Sequence, residues 1–236
     1  MKKYAGTLPY KKLIMLCCML ALAPALMSCA MSGNYRLNVQ YVQQKAPLAA
    51  DISMQQYVIT AAQFNDERSV LDKSVIGKRV QADSSELKAV ASQTALPTEL
   101  VGIAIKAAFQ KNDYTVYGRT PDWDGTERTI QKEWGNLVVG GFIEELEVVC
   151  NTGFLSAEYD TKVKLRVVFA DVQHKRILYT TTLDSASSYK HFYFSQSRME
   201  QEINNALSVA IEKMFDNNKV DEIIDGMTHA RATTIQ

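Results

Sequence analysis

Between residues 56 and 227 apolar and polar positions recur with two periods, and they divide the stretch into strands and helices. Tyr57-Val58-Ile59-Thr60-Ala61-Ala62 is β-branched and apolar, which predicts a buried first strand running into a polar turn, Phe64-Asn65-Asp66-Glu67-Arg68. Val75-Ile76-Gly77 and Arg79-Val80 predict a short extended piece, and residues 81–95 read as a loop. Pro97 and Glu99 open a helix, the first lacking an N–H where none is needed, the second sitting at the positive end of the dipole. Leu100, Ile103, Ala104, Ala107 and Ala108 form one apolar face and Val101, Ile105 and Phe109 another, so this helix is buried on more than one side and ends near Asn112. Tyr114–Tyr117 is a short strand, and residues 118–127 are polar and turn-rich.

Leu137–Cys150 is a long extended run that Gly140-Gly141 should bend. Tyr159, Thr161, Val163, Leu165, Val167 and Phe169 alternate with mostly charged residues, one face on the core and one in water. Ile177, Tyr179, Thr181 and Leu183 form the next strand of a meander. Ser197-Arg198-Met199-Glu200 reads as a capping box. The stripe Met199, Ile203, Ala206, Leu207, Ala210, Ile211, Met214 and Phe215 predicts a helix lying on the sheet with its other side wet. Asn217-Asn218 breaks it, residues to 227 add a turn or two, and 228–236 read as a disordered tail. The sum is an α+β fold: an antiparallel or mixed sheet of about four to five strands with two helices packed on one face.

The N-terminus has another grammar. Lys2, Lys3, Lys11 and Lys12 precede an apolar run, Leu13–Met27, too short for a bilayer-spanning helix of ~20 residues. It closes on Leu26-Met27-Ser28-Cys29, which reads as a lipobox, although Met27 is bulkier than usual there. A plain secretory signal cut at Ala23 or Ala25 is the competing reading. On the lipobox reading residues 1–28 are a signal peptide and Cys29 carries lipid. Residues 29–55 are then a flexible tether, with a short extended piece at Tyr35–Val39, and 56–227 a single periplasmic domain. Ala30 rather than Asp after the cysteine points to the outer membrane, periplasmic face, if enteric sorting applies.

Composition narrows the function. The signal takes four lysines and no acid, leaving 22 bases against 26 acids in a mature chain of 208 residues, a net charge of −4 that argues against nucleic acid. Cys17 and Cys18 leave with the signal, so Cys150 is the one thiol left beside Cys29, and its apolar run marks it as a buried hydrophobe rather than a reactive group. His174, His191 and His229 lack ligand-like spacing, and no metal or cofactor is expected. No phosphate loop, nucleophile elbow or zinc motif occurs.

Asp66 and Arg68 are the sharpest polar pair, either a partner-binding feature at a strand end or a side-chain-capped turn with a local ion pair. Tyr189, His191, Phe192, Tyr193 and Phe194 are either an aromatic binding patch, with Tyr189 and Tyr193 on one face, or core packing before the last helix. Trp123 and Trp134 either anchor a partner or cap a core edge.

The lipobox, the strand into Phe64–Arg68 with Ile76-Gly77 after it, the helix Leu100–Phe109 leading into Tyr114-Thr115-Val116, the alternating strand 159–169 and the final helix with Ile203-Asn204-Asn205-Ala206-Leu207 together resemble the YajG family of Gram-negative lipoproteins. Asn112-Asp113 stands where that family commonly has Gly, and loop 118–136 is long. The resemblance implies an outer-membrane lipoprotein and brings no catalytic residues. The expected function is a non-enzymatic, lipid-anchored module that binds an envelope protein. The alternative is a periplasmic carrier of a lipid or other apolar ligand, which requires an apolar cavity between helices and sheet.

Overall fold

A 16-residue strand, β6 (Leu137–Thr152), is the spine of the molecule. The computed structural model describes residues 34–46, 56–91 and 96–234, all within one unit, with the side chains of 217 and 228–234 excluded. The signal peptide, Cys29 and residues 47–55 of the expected tether lie outside the described residues.

The remaining strands are β1 (Tyr35–Leu37), β2 (Val58–Asp66), β3 (Val75–Val80), β4 (Glu86–Ala91), β5 (Thr115–Val116), β7 (Ala157–Asp171) and β8 (Arg176–His191). The helices are α1 (Pro97–Lys111), α2 (Gln196–Glu212) and α3 (Lys219–Thr234), with 3₁₀ turns at Glu127–Thr129 and Lys213–Asn218. One edge of β6 pairs antiparallel with β7 along its whole length, and β7 pairs antiparallel with β8. The other edge is shared. Its first half pairs parallel with β2, up to Asp66 opposite Ile143, and its last part pairs parallel with β3, from Gly77 opposite Val148. β5 lies outside β2, and β4 and β1 lie outside β3.

The expectation of four to five strands with two helices is corrected: among the described residues there is a mixed sheet of eight strands with three helices. β1 falls where the short extended piece was expected at Tyr35–Val39, inside the segment read as tether. β4 hid in the loop read at 81–95, because Glu86-Leu87-Lys88-Ala89 offers only small or lone apolar residues to the core. β8 runs eight residues past Leu183, since its Ser/Ala stretch has no covered face to demand alternation. The tail expected to be disordered is helical to Thr234, beyond the left-handed Asn218 at φ 54°.

The helices cover one face. Ile59, Ala61 and Phe64 of β2, Leu165, Val167 and Phe169 of β7, Leu100, Ile105 and Phe109 of α1, the whole predicted stripe of α2, and Val220, Ile224 and Met227 of α3 form one buried cluster. The opposite face is capped at one end by loop 118–136, which buries Trp123, Ile130 and Trp134 against Ala62, Val138, Val168 and Ala170. Both tryptophans are core residues, not partner anchors. Gly140 makes room for Trp123, whose ring would lie 2.7 Å from a Cβ there, and Gly141 (φ 149°) leaves the space that Arg166 O occupies, 2.0 Å from any Cβ.

Where β2 hands the β6 edge to β3, carbonyls lose their strand partners, and Arg68 takes them. Its guanidinium donates to Val75 O (2.8 Å), Leu146 O (3.3 Å) and Lys73 O (2.8 Å), and to both carboxylate oxygens of Asp66 (3.0 and 2.6 Å). All five donors of the fork are used. The Asp66–Arg68 pair is buried, and Lys73 adds a longer contact to Asp66. Burial opposes ionisation of Asp66, but the hydrogen bonds and charge of Arg68, with Lys73, hold its carboxyl below the ordinary value of 3.8. The structure thus supports the capped-turn reading of this pair and leaves neither side chain free for a partner.

Arg68→Ala is expected to cost about 3–5 kcal/mol in urea denaturation, because it strands a buried carboxylate and three carbonyls. The contribution of Asp66 is full at neutral pH and is lost as pH falls through 3.8 and then through the lower folded value. Urea midpoints measured down to pH 3 therefore fall less steeply in Asp66→Asn than in the parent.

Candidate functional site

Strand direction decides what gathers at each end of the sheet. β3 and β6 run toward one end, where Val80, the last residue of β3, pairs with Asn151, next to the last of β6, and β7 starts there at Ala157, paired with His191, the last residue of β8. The β6–β7 turn is closed by Gly153 N–H donating to Ser156 O at 2.8 Å and carries Phe154 and Leu155 at its tip. Phe192 and Tyr193 follow β8 directly at the same end. Phe154 is 96% exposed, Leu155 74%, Phe192 82% and Tyr193 66%. Large apolar side chains in a turn bury nothing of their own fold, and a cluster of them marks an interaction surface.

The cluster has a rigid base. Phe194 turns inward, its ring 4.9 Å from that of Tyr35 on β1, with the Arg79 guanidinium 4.1 Å over its face. Arg79 also donates to the Tyr35 hydroxyl at 2.9 Å. Tyr189 lies flat beneath Arg198, 4.7 Å from ring to guanidinium, and the His191 ring meets Tyr193 edge-on at 4.6 Å. Ser195 caps α2 by accepting from Arg198 N–H. The expected capping box at Ser197 does not form, because the helix starts at Gln196 and Ser197 lies inside its first turn.

Glu200 belongs to a ladder. Residues 38–44 run extended along α2, and alternate backbone N–H groups donate to side chains four apart on the helix. Asn38 reaches Glu200 (2.8 Å), Gln40 reaches Asn204 (3.0 Å), Val42 reaches Ser208 (2.9 Å) and Gln44 reaches Glu212 (2.6 Å). Asn204 also donates back to Asn38 O at 2.9 Å. One flank of the helix side expected to be wet is thus covered by this strap, while Gln201 and Val209 stay exposed, and residues 34–46, read as part of the tether, are held on the domain.

Of the sequence candidates, the structure brings Tyr189 and Tyr193 together at the apolar end and places Asp66 and Arg68 away from it, as a buried support. Cys29 lies outside the described residues. Cys150 is buried, and burial pushes its thiol up to about 11, which keeps it inert. Phe154 and Leu155 escaped the sequence reading. Their signal was an apolar pair directly after Gly153 in a turn. No group of three His, Cys, Asp or Glu able to hold a metal ion occurs among the described residues. Among them no helix is long and apolar enough to cross a membrane.

Phe192→Ser is expected to change the unfolding free energy in urea titration by less than about 0.5 kcal/mol, as for an exposed side chain. Phe194→Ala, two residues on, should cost about 2–4 kcal/mol, since it empties the packing between Tyr35 and Arg79. A comparable loss for both would show that the end is core and not surface.

No family model and no curated protein matches the sequence, so the resemblance to the YajG family has no sequence match behind it. Solved structures are similar at low identity. Protein XCC0632 of Xanthomonas campestris, of the DUF330 family, is 10% identical with a TM-score of 0.48 over 84% of this chain and 99% of its own. A neuraminyllactose-binding hemagglutinin homolog of Helicobacter pylori is 10% identical, TM-score 0.42, over 78% of this chain and 96% of its own. Lipoprotein GNA1162 of Neisseria meningitidis is 10% identical, TM-score 0.35, over 63% of this chain and 94% of its own. Likenesses this distant say nothing of what this chain binds or does.

Proposed function

We infer that this protein is a non-enzymatic lipoprotein of the cell envelope, tied by lipid on Cys29 to the periplasmic face of the outer membrane. Its domain binds an envelope protein by adding an extended segment of that partner to the free edge of β8. One observation carries the binding step. β8 is 16 residues long and pairs only with β7 among the described residues. Natural proteins block long edges with proline, charge or bulges. From Thr180 to Ser188 this one has a single charge, Asp184, and no proline.

The open part can be named. Lys213 caps Asp184 O at 2.6 Å from outside the ladder, so Asp184 faces the free edge. Alternate residues of an antiparallel strand share an edge, so Ala186, Ser188 and Lys190 face it too. Ile177 N–H, near the other end, is capped by Glu127 at 2.8 Å. A partner strand therefore fits along Ala186–Lys190, where main-chain hydrogen bonds supply affinity. Tyr189, at this stretch, is the sequence candidate that borders the docking edge.

The carrier alternative needs an apolar cavity between helices and sheet. The core between helices and sheet is made of mutually packed buried side chains; one groove of about 430 Å³ opens beside Arg68 among Glu144, Glu145, Glu147 and Lys162, and one of about 370 Å³ between β8 and the helices is edged by Lys213, Asp216, Lys219 and Glu222 rather than closed by apolar residues. No observation favours the carrier.

Ser188→Pro removes an outward N–H that the β7 ladder does not use, so folding should survive, as for proline on an edge strand. A photocrosslinker at Ala186 in cells should capture one envelope protein in the parent and lose it in Ser188→Pro. Equal capture by both, or none by the parent, would overturn docking on this edge.

A further inference from the structure

The apolar end and the chain's point of departure share one end of the sheet. Tyr35 pairs with Ala89, which stands opposite Gly77, and Gly77 stands opposite Val148. β1 therefore lies level with a point on β6 four residues short of Thr152, about 13 Å from the end of the strand. β1 is parallel to β4 and antiparallel to β3 and β6, so the chain before Tyr35 heads toward the Phe154 turn.

Five residues separate Tyr35 from Cys29, and the six steps span at most about 22 Å. A lipid on Cys29 can then reach no more than about 9 Å past Thr152. That margin is comparable to the headgroup layer of a bilayer leaflet, roughly 5–8 Å. The turn carrying Phe154 and Leu155 projects past Thr152 as well. A domain standing upright on this tether brings its apolar end to the membrane.

We propose that Phe154, Leu155, Phe192 and Tyr193 rest in the interfacial layer of the membrane that holds Cys29, making this end a second, non-covalent membrane contact. The inference rests on the lipid-anchored reading above. The chemistry fits. Aromatic residues with a polar tip partition to the headgroup level, and large apolar side chains bury into the headgroup–acyl boundary. Lys190 and Arg198 lie beside the cluster, Lys190 paired with Glu158 and Arg198 over Tyr189, both suited to anionic headgroups. The Arg79–Phe194–Tyr35 stack holds the cluster and the departing chain in fixed relation. The membrane contact thereby fixes orientation as well as distance, which one flexible anchor cannot do.

The test uses the full chain, processed and acylated in a bacterial host and reconstituted in vesicles of phosphatidylethanolamine and phosphatidylglycerol. Nitroxides are placed on Phe154→Cys, Phe192→Cys and, as control, Arg128→Cys, whose neighbour Glu127 caps the far end of β8. The sulfur of Cys29 is blocked by lipid and Cys150 is buried, so each variant offers one reactive thiol. The expected result is an oxygen-to-nickel-chelate accessibility ratio several-fold higher at 154 and 192 than at 128. Ratios equal to the control, in a sample whose mass shows diacylglyceryl Cys29, overturn the membrane contact and leave the anchor standing. A mass without acyl chains overturns the anchored reading and this inference with it. Labels at 154 and 192 shielded from oxygen and chelate alike would show a protein covering the end, and would overturn the contact too.

Discussion

Everything on one side of the sheet depends on how a single strand edge is shared between two partners. β2 and β3 both pair with the same edge of β6 and cannot overlap, so between Ile143 and Val148 the edge passes from one to the other. A bare handover would bury carbonyls without donors, each costing as much as a lost hydrogen bond. A planar fork with five donors is the side chain that can serve three such carbonyls and still hold a neutralising carboxylate, and Arg68 does so against Asp66. β4 and β1 are paired outward from β3, so the position of the N-terminal strand follows from this junction.

The strap on α2 works by commensurate spacing. Two extended residues advance about 6.6 Å and four helical residues about 6.0 Å, so alternate amides meet every fourth side chain with little drift over a few rungs. Glu200, Asn204, Ser208 and Glu212 are all acceptors at that spacing. The hydroxyl of Tyr41 also donates to Glu212, and burial followed by that carboxylate pushes it well above the ordinary tyrosine value. A polar row that would normally face water on a surface helix is here the docking track for the chain's own N-terminal segment.

This explains which parts of the fold were legible. Periodicity found β2, β3, α1, β6, β7 and α2, where one face meets the core and the other does not. It missed β4, whose side chains are small or charged, and the far half of β8, whose burial never alternates. It could not find the strap, because backbone amides do that binding and leave no trace in side-chain pattern. The acceptor row on α2 was readable only as a hydrophilic face. The Asp66–Arg68 turn was legible as a pair but not as a handover, since the β6 carbonyl it serves, Leu146 O, lies 78 residues along the chain. At the apolar end the crowd around Tyr193 was visible, but not that Phe194 turns inward while Phe192 and Tyr193 turn out. That split is decided by Tyr35 and Arg79, which arrive from the other end of the sequence.

The two surfaces argued for here are consistent because they are orthogonal. With the Phe154 and Phe192 end at the membrane, the strands stand along the membrane normal and the free edge of β8 faces sideways. Its uncapped stretch, Ala186–Lys190, is then the part nearest the lipid, while the capped Ile177 lies about 30 Å beyond Ala186. A strand added to that stretch must come from a segment that runs close to the membrane surface. On the proposed anchor, membrane contact and edge docking, the partner to look for is an envelope protein presenting an extended segment within a few residues of the bilayer, not one reaching in from the far side of the periplasm.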